Sequence, residues 1–283
     1  MKKLYILIAF IMCSFIGNAQ DATLENSVLW KIEHKDLAKP SYLLGTIHIL
    51  CEDDFSIPEK VTKAFNATEN LVLEVDLSDT AALMEMQKSM ISKEKLSEIL
   101  PKERQEYLDN LLKKELKMSL KMVDNYSLMT IYSLLIQHSL PCETKKMYEF
   151  ELINLAKAKN KKVAGLETLN GQVDFFAKAY PTEFLWQQIE LYDEYKVAFQ
   201  EMVTSYKNED ISTLVEGIKD ERFFNKNAEH WMLTVRNTNW IEIMPEMMKK
   251  QSNLFAVGAA HLVGENGVIK LLRKEGYKVT PVY

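Results

Sequence analysis

The chain has 283 residues, 35 of them Lys or Arg and 40 Asp or Glu, for a net charge of −5. That length holds one large domain or two small ones around a sizeable core, and 47% apolar with 27% charged residues is ordinary globular composition. No basic patch suited to nucleic acid is visible, so that partner is excluded, and the size excludes a mini-fold stapled by disulfides.

Residues 1–19 come first. Two lysines precede an apolar run from Leu4 to Ile16, and Gly17-Asn18-Ala19 gives a small-x-small pattern. This reads as a secretory signal peptide, the run being shorter than the ~18–20 residues that span a bilayer. The expectation is therefore an exported protein, periplasmic or secreted, with no stable membrane insertion after cleavage. Residues 20–283 are read as a single domain. An oxidising compartment permits a disulfide between Cys51 and Cys142, and a Cys51 thiolate near His48 is a conceivable metal ligand. Whether the two cysteines pair is left open, and a buried free thiol is preferred to the ligand reading of Cys51.

Short apolar runs with strand character follow at 41–49, 71–77, 162–167, 253–259 and 277–282. Those at 42–45 and 255–258 are apolar on both faces, which suggests parallel strands covered by helices. The blocks 79–160 and 172–250 read as helical: Leu96, Ile99 and Leu100, then Leu108, Leu111 and Leu112, recur at helix spacing. Pro101, Pro141 and Pro181 punctuate them. The methionines at 84, 86, 90, 118, 122 and 129 are read as core filling, with an apolar groove for a peptide or lipid as the sharper alternative. Gly45, Gly165 and Gly258 inside strand runs mark bends or close backbone approach. A last helix is expected over Val268–Lys274. The fold class expected is α/β, a mixed or mostly parallel central sheet with large helical insertions.

Four apolar runs end in a chemically active residue. YLLGTIHI (42–49) and FAVGAAHL (255–262) share one outline, and each places a histidine, His48 or His261, where a buried strand gives way to a loop. LVLEVD (71–76) ends on Glu74 and Asp76, which share a face if the strand continues. VAGLE (163–167) ends on Glu167. In parallel α/β sheets the carboxyl ends of strands form the ligand crevice, and a charge there is costly unless paired, hydrogen-bonded or metal-bound. Two histidines and a carboxylate suffice for Zn, Mn, Fe or Co. Water on such an ion is a nucleophile near neutral pH, and a second carboxylate can serve as general base. Each residue also has a plainer reading. A strand-end histidine bonds to neighbouring strands, Glu74 caps a helix starting near Ser78, Asp76 pairs with a base, and Glu167 opens the next helix. His34, His138 and His230 lack the pattern and are read as surface or structural. No HExxH, P-loop, GxGxxG or GxSxG is present, which removes the commonest zincin, nucleotide and serine-hydrolase readings.

Taken together, Gly45-Thr46-Ile47-His48 and Gly258-Ala259-Ala260-His261, the acidic strand 71–77, GLET (165–168) with Gln172, Arg236-Asn237 with Trp240, and the C-terminal stretch 257–282 resemble the TraB/GumN family, which includes the Tiki proteins. The resemblance covers about residues 28–283. It implies a divalent-metal-dependent hydrolase, most plausibly a metallopeptidase acting on a peptide or protein substrate. His48, Glu74 and His261 would be metal ligands, with Mn, Co or Zn as the ion. Glu167, Arg236, Asn237 and Asp76 would be catalytic or supporting groups. Arg236 suits an oxyanion or a carboxylate clamp, and its plainer role is an ion pair with a strand-end acid. Residues 142–151 depart from the family outline, lacking the expected glycine; Glu149 is a candidate for the expected acid, and its role is left open. The alternative function is a non-catalytic protein that sequesters a peptide or other ligand through its helical region.

Overall fold

The computed structural model describes residues 25–218 and 220–283; the signal-peptide reading of 1–19 lies outside them. Eight strands are present among these residues: β1 (Leu29–Glu33), β2 (Ser41–Thr46), β3 (Ile49–Cys51), β4 (Asn70–Val75), β5 (Lys145–Met147), β6 (Lys162–Glu167), β7 (Asn253–Gly258) and β8 (Lys278–Pro281). Six form one sheet in the order β6-β4-β7-β2-β1-β8. The first four of these lie parallel, and β1 runs antiparallel between β2 and β8. This is the expected α/β fold with a mixed, mostly parallel sheet.

The parallel strands are buried on both faces, as uninterrupted apolar runs require. Leu44, Leu71, Leu73, Leu254 and Ala256 face one core. Leu43, Val72, Phe255 and Val257 alternate onto the other, under Trp240 and Met244 of the helix Val235–Lys250. A third core, built around Leu108, Leu112, Leu135 and Trp186, holds the helical insertions together. Gly45 lies where the chain after β7 crosses β2. A Cβ there would stand 2.6 Å from Leu262 Cδ1 and 3.1 Å from Ala259 Cα, so only glycine fits without a shift.

Several elements differ from expectation. The run 41–49 is two strands, because the chain turns at Ile47–His48 and β3 leaves the main sheet to pair with β5. Strand β4 stops at Val75, short of Asp76. The block 79–160 is interrupted by β5. Met84 and Met122, read as core filling, are 56% and 65% exposed; Met118 and Met129 do pack against the third core. Cys51 and Cys142 are joined in a disulfide, the pairing the sequence leaves open, which removes Cys51 as a free thiol or thiolate ligand. The bond closes the outer end of the β3–β5 ladder, where Cys51 pairs with Lys145. The helix Val268–Lys274 forms as expected.

Candidate metal and catalytic site

The register of the sheet brings the two Gly-x-x-His segments together. Thr46 of β2 pairs with Gly258 of β7, so both chains leave neighbouring parallel strands at one level. On the other side of β7 stands β4, with Leu73 beside Ala256, and beyond it β6, with Glu167 beside Val75. Four adjacent strand ends thus supply His48, His261, Glu74 and Glu167. This is the crevice that parallel α/β sheets offer to ligands. Glu74 shares a face with Val72, the face covered by the helix that carries Arg236, Asn237 and Trp240.

A methyl carbon built on Gly258 would lie 3.4 Å from Glu74 Oε1, 3.5 Å from His48 Nε2 and 3.5 Å from His261 Cδ2. The three ligand candidates therefore border one small space over the Gly258 backbone, which glycine keeps open. The Gly258 N–H donates to Glu74 Oε1 at 2.7 Å. Glu74 Oε1 lies 3.7 Å from His261 Nε2.

Each histidine is oriented through its other ring nitrogen. Asn237 Nδ2 donates to the His261 and Asn266 carbonyls, at 3.3 and 2.7 Å, which fixes the amide and turns its Oδ1 toward His261. His261 Nδ1 must then carry the proton it donates to Asn237 Oδ1 at 2.6 Å, leaving Nε2 unprotonated. His48 Nδ1 donates to Glu149 Oε1 at 2.8 Å. That carboxylate also accepts from Thr46 Oγ1, and the Tyr148 N–H donates to the His48 carbonyl at 3.1 Å.

Arg236 is only 2% exposed and carries the charge balance. Its Nη2 donates to Glu74 Oε2 at 2.5 Å and to Glu167 Oε1 at 2.6 Å, and its Nε to Glu167 Oε1 at 3.0 Å. Nη1 donates to the Met232 carbonyl and to His261 Nε2, both at 3.1 Å. Gln172 Nε2 bridges Glu74 Oε2 and Glu167 Oε1 at 3.1 and 3.0 Å. The Trp240 ring lies under both Arg236 and His261.

These contacts set the protonation states. Burial, which would raise the Glu74 carboxyl, is outweighed by the Arg236 charge, and Glu74 is held well below the usual carboxylate range. Burial and the Arg236 charge push His261 down to about 3, so it is a neutral imidazole. The Glu149 carboxylate draws His48 the other way, up to about 9, against the opposing effect of burial. The His48 side chain is 62% exposed, so water at the cavity mouth softens that pairing.

The donor set fits a divalent metal. Two imidazole nitrogens and a carboxylate are its ordinary ligands, and each imidazole has the outer hydrogen bond that metal-binding histidines make. Among the described residues, however, no three His, Cys, Asp or Glu groups already form a metal-binding arrangement. The nearest cation to His261 Nε2 is Arg236, so gathering all three donors on one ion requires Nη1 to give up that nitrogen.

Among the described residues, Asp76 forms no side-chain hydrogen bond or ion pair with this cluster. Its Oδ1 accepts from the Ser78 N–H and hydroxyl at 2.9 and 2.6 Å, which makes it the turn that leaves β4. Glu149, doubtful on sequence, stands against His48; Gln172 and Trp240, seen only as motif members, touch the cluster directly. His34 packs on Tyr277, His230 on Trp231, and His138 ends the helix Leu128–His138.

A cavity of about 470 Å³ opens onto His48, Arg236, Gly258 and His261. Its remaining walls are mainly apolar, with Phe176, Phe199, Met202, Phe223 and Met232 prominent. The wall beside Arg236 includes a π-helical turn, His230–Thr234, a feature frequent at functional sites.

Fold and cluster together define an α/β protein with a buried His–carboxylate–Arg centre at the strand ends and an apolar cavity above it. The chain belongs to the TraB/PrgY/gumN family, whose model matches residues 28–281. It is also similar to a protein of Amphimedon queenslandica named metalloprotease TIKI homolog, at 23% identity over 346 aligned residues that cover 97% of this chain and 65% of that protein. The chain thus spans somewhat less than two thirds of that relative's length. No solved structure matches the chain at a significant level.

Proposed function

We propose that the protein is an exported, divalent-metal-dependent hydrolase that cleaves peptides. One observation carries this reading: His48, Glu74 and His261 border a single space at Gly258. Asn237 holds Nδ1 of neutral His261 and leaves its Nε2 free, and Glu149 holds Nδ1 of His48, whose Nε2 would give up its proton to an ion. The name of the sponge relative, a metalloprotease, supports the same class.

His48 Nε2, Glu74 and His261 Nε2 would hold the ion, which when bound supplies Lewis acidity and a water of lowered pKa. Asn237 and Glu149 keep the imidazoles in the required tautomer and direction. Arg236 sets a fixed positive charge beside the centre, suited to the negative charge that develops on a cleaved carbonyl. Glu167 holds Arg236 in place through Nε and Nη2, and is the second carboxylate within the cluster suited to proton transfer.

A second reading, a protein that holds its ligand without cleaving it, is favoured by one contact, the Arg236 Nη1 bond to His261 Nε2. Elemental analysis of residues 20–283, wild type beside His48→Ala/His261→Ala, separates the two readings. The hydrolase reading expects bound metal in the wild type, its loss in a still-folded double variant, and peptide cleavage that stops with chelator and returns with Mn or Co. A wild type free of metal, or metal with no turnover on a broad peptide library, defeats it.

A further inference from the structure

The cavity above the centre has its own chemistry, distinct from that of the cluster. Among its described lining side chains, tyrosines aside, only His48, Arg236 and His261 are ionisable, and all three stand at one end. A charged group placed deeper would be left without an ionic partner among mainly aromatic and aliphatic walls, which buried charge tolerates poorly. Met129, Met202 and Met232 line the walls, and methionine adapts to varied apolar shapes.

The cavity is not uniformly greasy. Tyr132, Tyr180 and Tyr195 line it and stand near one another, with Tyr132 ring centroids 6.3 Å from Tyr180 and 6.2 Å from Tyr195. None of the three hydroxyls has a protein hydrogen-bond partner among the described residues. Nor is any of them sealed off, since the described polar side-chain atoms both sealed and unpartnered are Gln188 Oε1, Tyr192 Oη and Trp240 Nε1. They are donors in a mainly apolar space that Thr46, Ser133 and Gln137 also line. A fatty acyl chain filling it would strip water from three hydroxyls and return nothing. A peptide supplies carbonyls for the hydroxyls and apolar side chains for the walls.

We propose that this cavity is the substrate subsite, and that it selects peptides with bulky apolar or aromatic residues beside the cleaved bond, their backbone carbonyls met by the hydroxyls of Tyr132, Tyr180 and Tyr195. The inference deepens the peptide-hydrolase reading and rests on it. Three features carry it: continuity with the cluster, the absence of charge among the described residues of the inner walls, and the three unpartnered hydroxyls.

The test uses residues 20–283 in chelator, so that binding is read without cleavage. Two fluorescein-labelled octapeptides serve as probes, one with a central Phe-Leu and one with Glu-Lys in its place, and laurate serves as a third ligand. The Phe-Leu probe is expected to bind at least tenfold more tightly than Glu-Lys, the scale on which apolar pockets discriminate. Ala198→Trp, which fills the cavity from its wall, is expected to erase that preference, with Ala198→Leu as the milder variant if the tryptophan unfolds the chain. Replacing all three tyrosines with phenylalanine should weaken the Phe-Leu probe several-fold and leave laurate unweakened. Equal binding of the two peptides, or laurate binding more tightly than Phe-Leu, overturns the proposal. The two readings fail separately. Apolar binding that persists with no cleavage under any metal removes the hydrolase and keeps the subsite. Metal-dependent cleavage of both peptides at equal kcat/KM removes the subsite and keeps the hydrolase.

Discussion

Arg236→Met tests the electrostatic account of the centre most directly. Arg236 is 2% exposed at the side chain, and the two carboxylates it joins are 11% and 9% exposed. Methionine keeps most of the apolar stem in contact with Trp240 while removing the charge. Breaking a buried pair from one side costs ~3–5 kcal/mol, because the remaining charge is uncompensated. The pH dependence carries the stronger test. In the wild type Glu74 titrates below its ordinary value of 4.5, so the stability it contributes is present above that value and lost only as pH falls below it. Between pH 5 and 8 its contribution is flat. Without Arg236, burial is opposed by the two histidines and the Gly258 N–H, and the folded pKa of Glu74 is expected to rise above the unfolded value. The sign reverses: stability now falls as pH rises toward the new pKa. Urea denaturation in chelator at pH 5 and pH 8 should therefore show the variant losing ~3–5 kcal/mol at pH 8. At pH 5 the loss should be at least ~1 kcal/mol smaller, since one pKa unit is about 1.4 kcal/mol. Adding Glu74→Gln should recover part of the loss at pH 8. A loss equal at the two pH values, or below ~1 kcal/mol at both, within the range of ordinary substitutions, refutes the picture of buried acids neutralised by Arg236.

Gly258→Ala should separate fold from metal uptake. Gly258 has φ −53° and ψ 136°, which any residue adopts, and its new methyl meets only ordinary contacts of 3.4–3.5 Å, so stability should change by less than ~1 kcal/mol. The methyl occupies the space between the three donors, so metal affinity measured by titration calorimetry should fall at least tenfold; unchanged affinity would remove Gly258 as the floor of the site. Cys51→Ser/Cys142→Ser opens a loop with a sequence separation of 91 residues and should cost ~2–4 kcal/mol in urea denaturation. A double variant as stable as the oxidised protein would show that the β3–β5 ladder needs no tie.

The parallel part of the sheet was legible because strands buried on both faces write themselves as unbroken apolar runs. Strand β1, LWKIE, was missed because Lys31 and Glu33 interrupt its run and it lies on the antiparallel side. Strand β5, KKM, carries no apolar signal; it exists because β3 pairs with it and Cys51 is tied to Cys142. The site divided in the same way. His48, His261, Glu74 and Glu167 were readable because charge at the end of an apolar run demands a reason. Asp76 lies beyond the end of β4 at Val75, so it does not share the face of Glu74 but caps the turn by accepting from Ser78. Glu149 could not be joined to His48 on sequence, since the contact spans 101 residues and depends on the β3–β5 ladder.

The place of Arg236 bears on whether the centre can accept an ion at all. Arg236 already gives Glu74 and Glu167 a positive partner, so a divalent ion would enter beside a resident cation. The geometry divides the guanidinium into two parts. Nε and Nη2 are committed to the carboxylates through four contacts, whereas Nη1 holds only the Met232 carbonyl and His261 Nε2. Releasing His261 therefore breaks one hydrogen bond to a neutral ring nitrogen and leaves both ion pairs in place. Glu74 is divided likewise: Oε2 faces Arg236 and Gln172, and Oε1 faces Gly258 and His261. One oxygen of that carboxylate can serve the arginine while the other serves the ion, so the resident charge and a bound metal need not exclude each other.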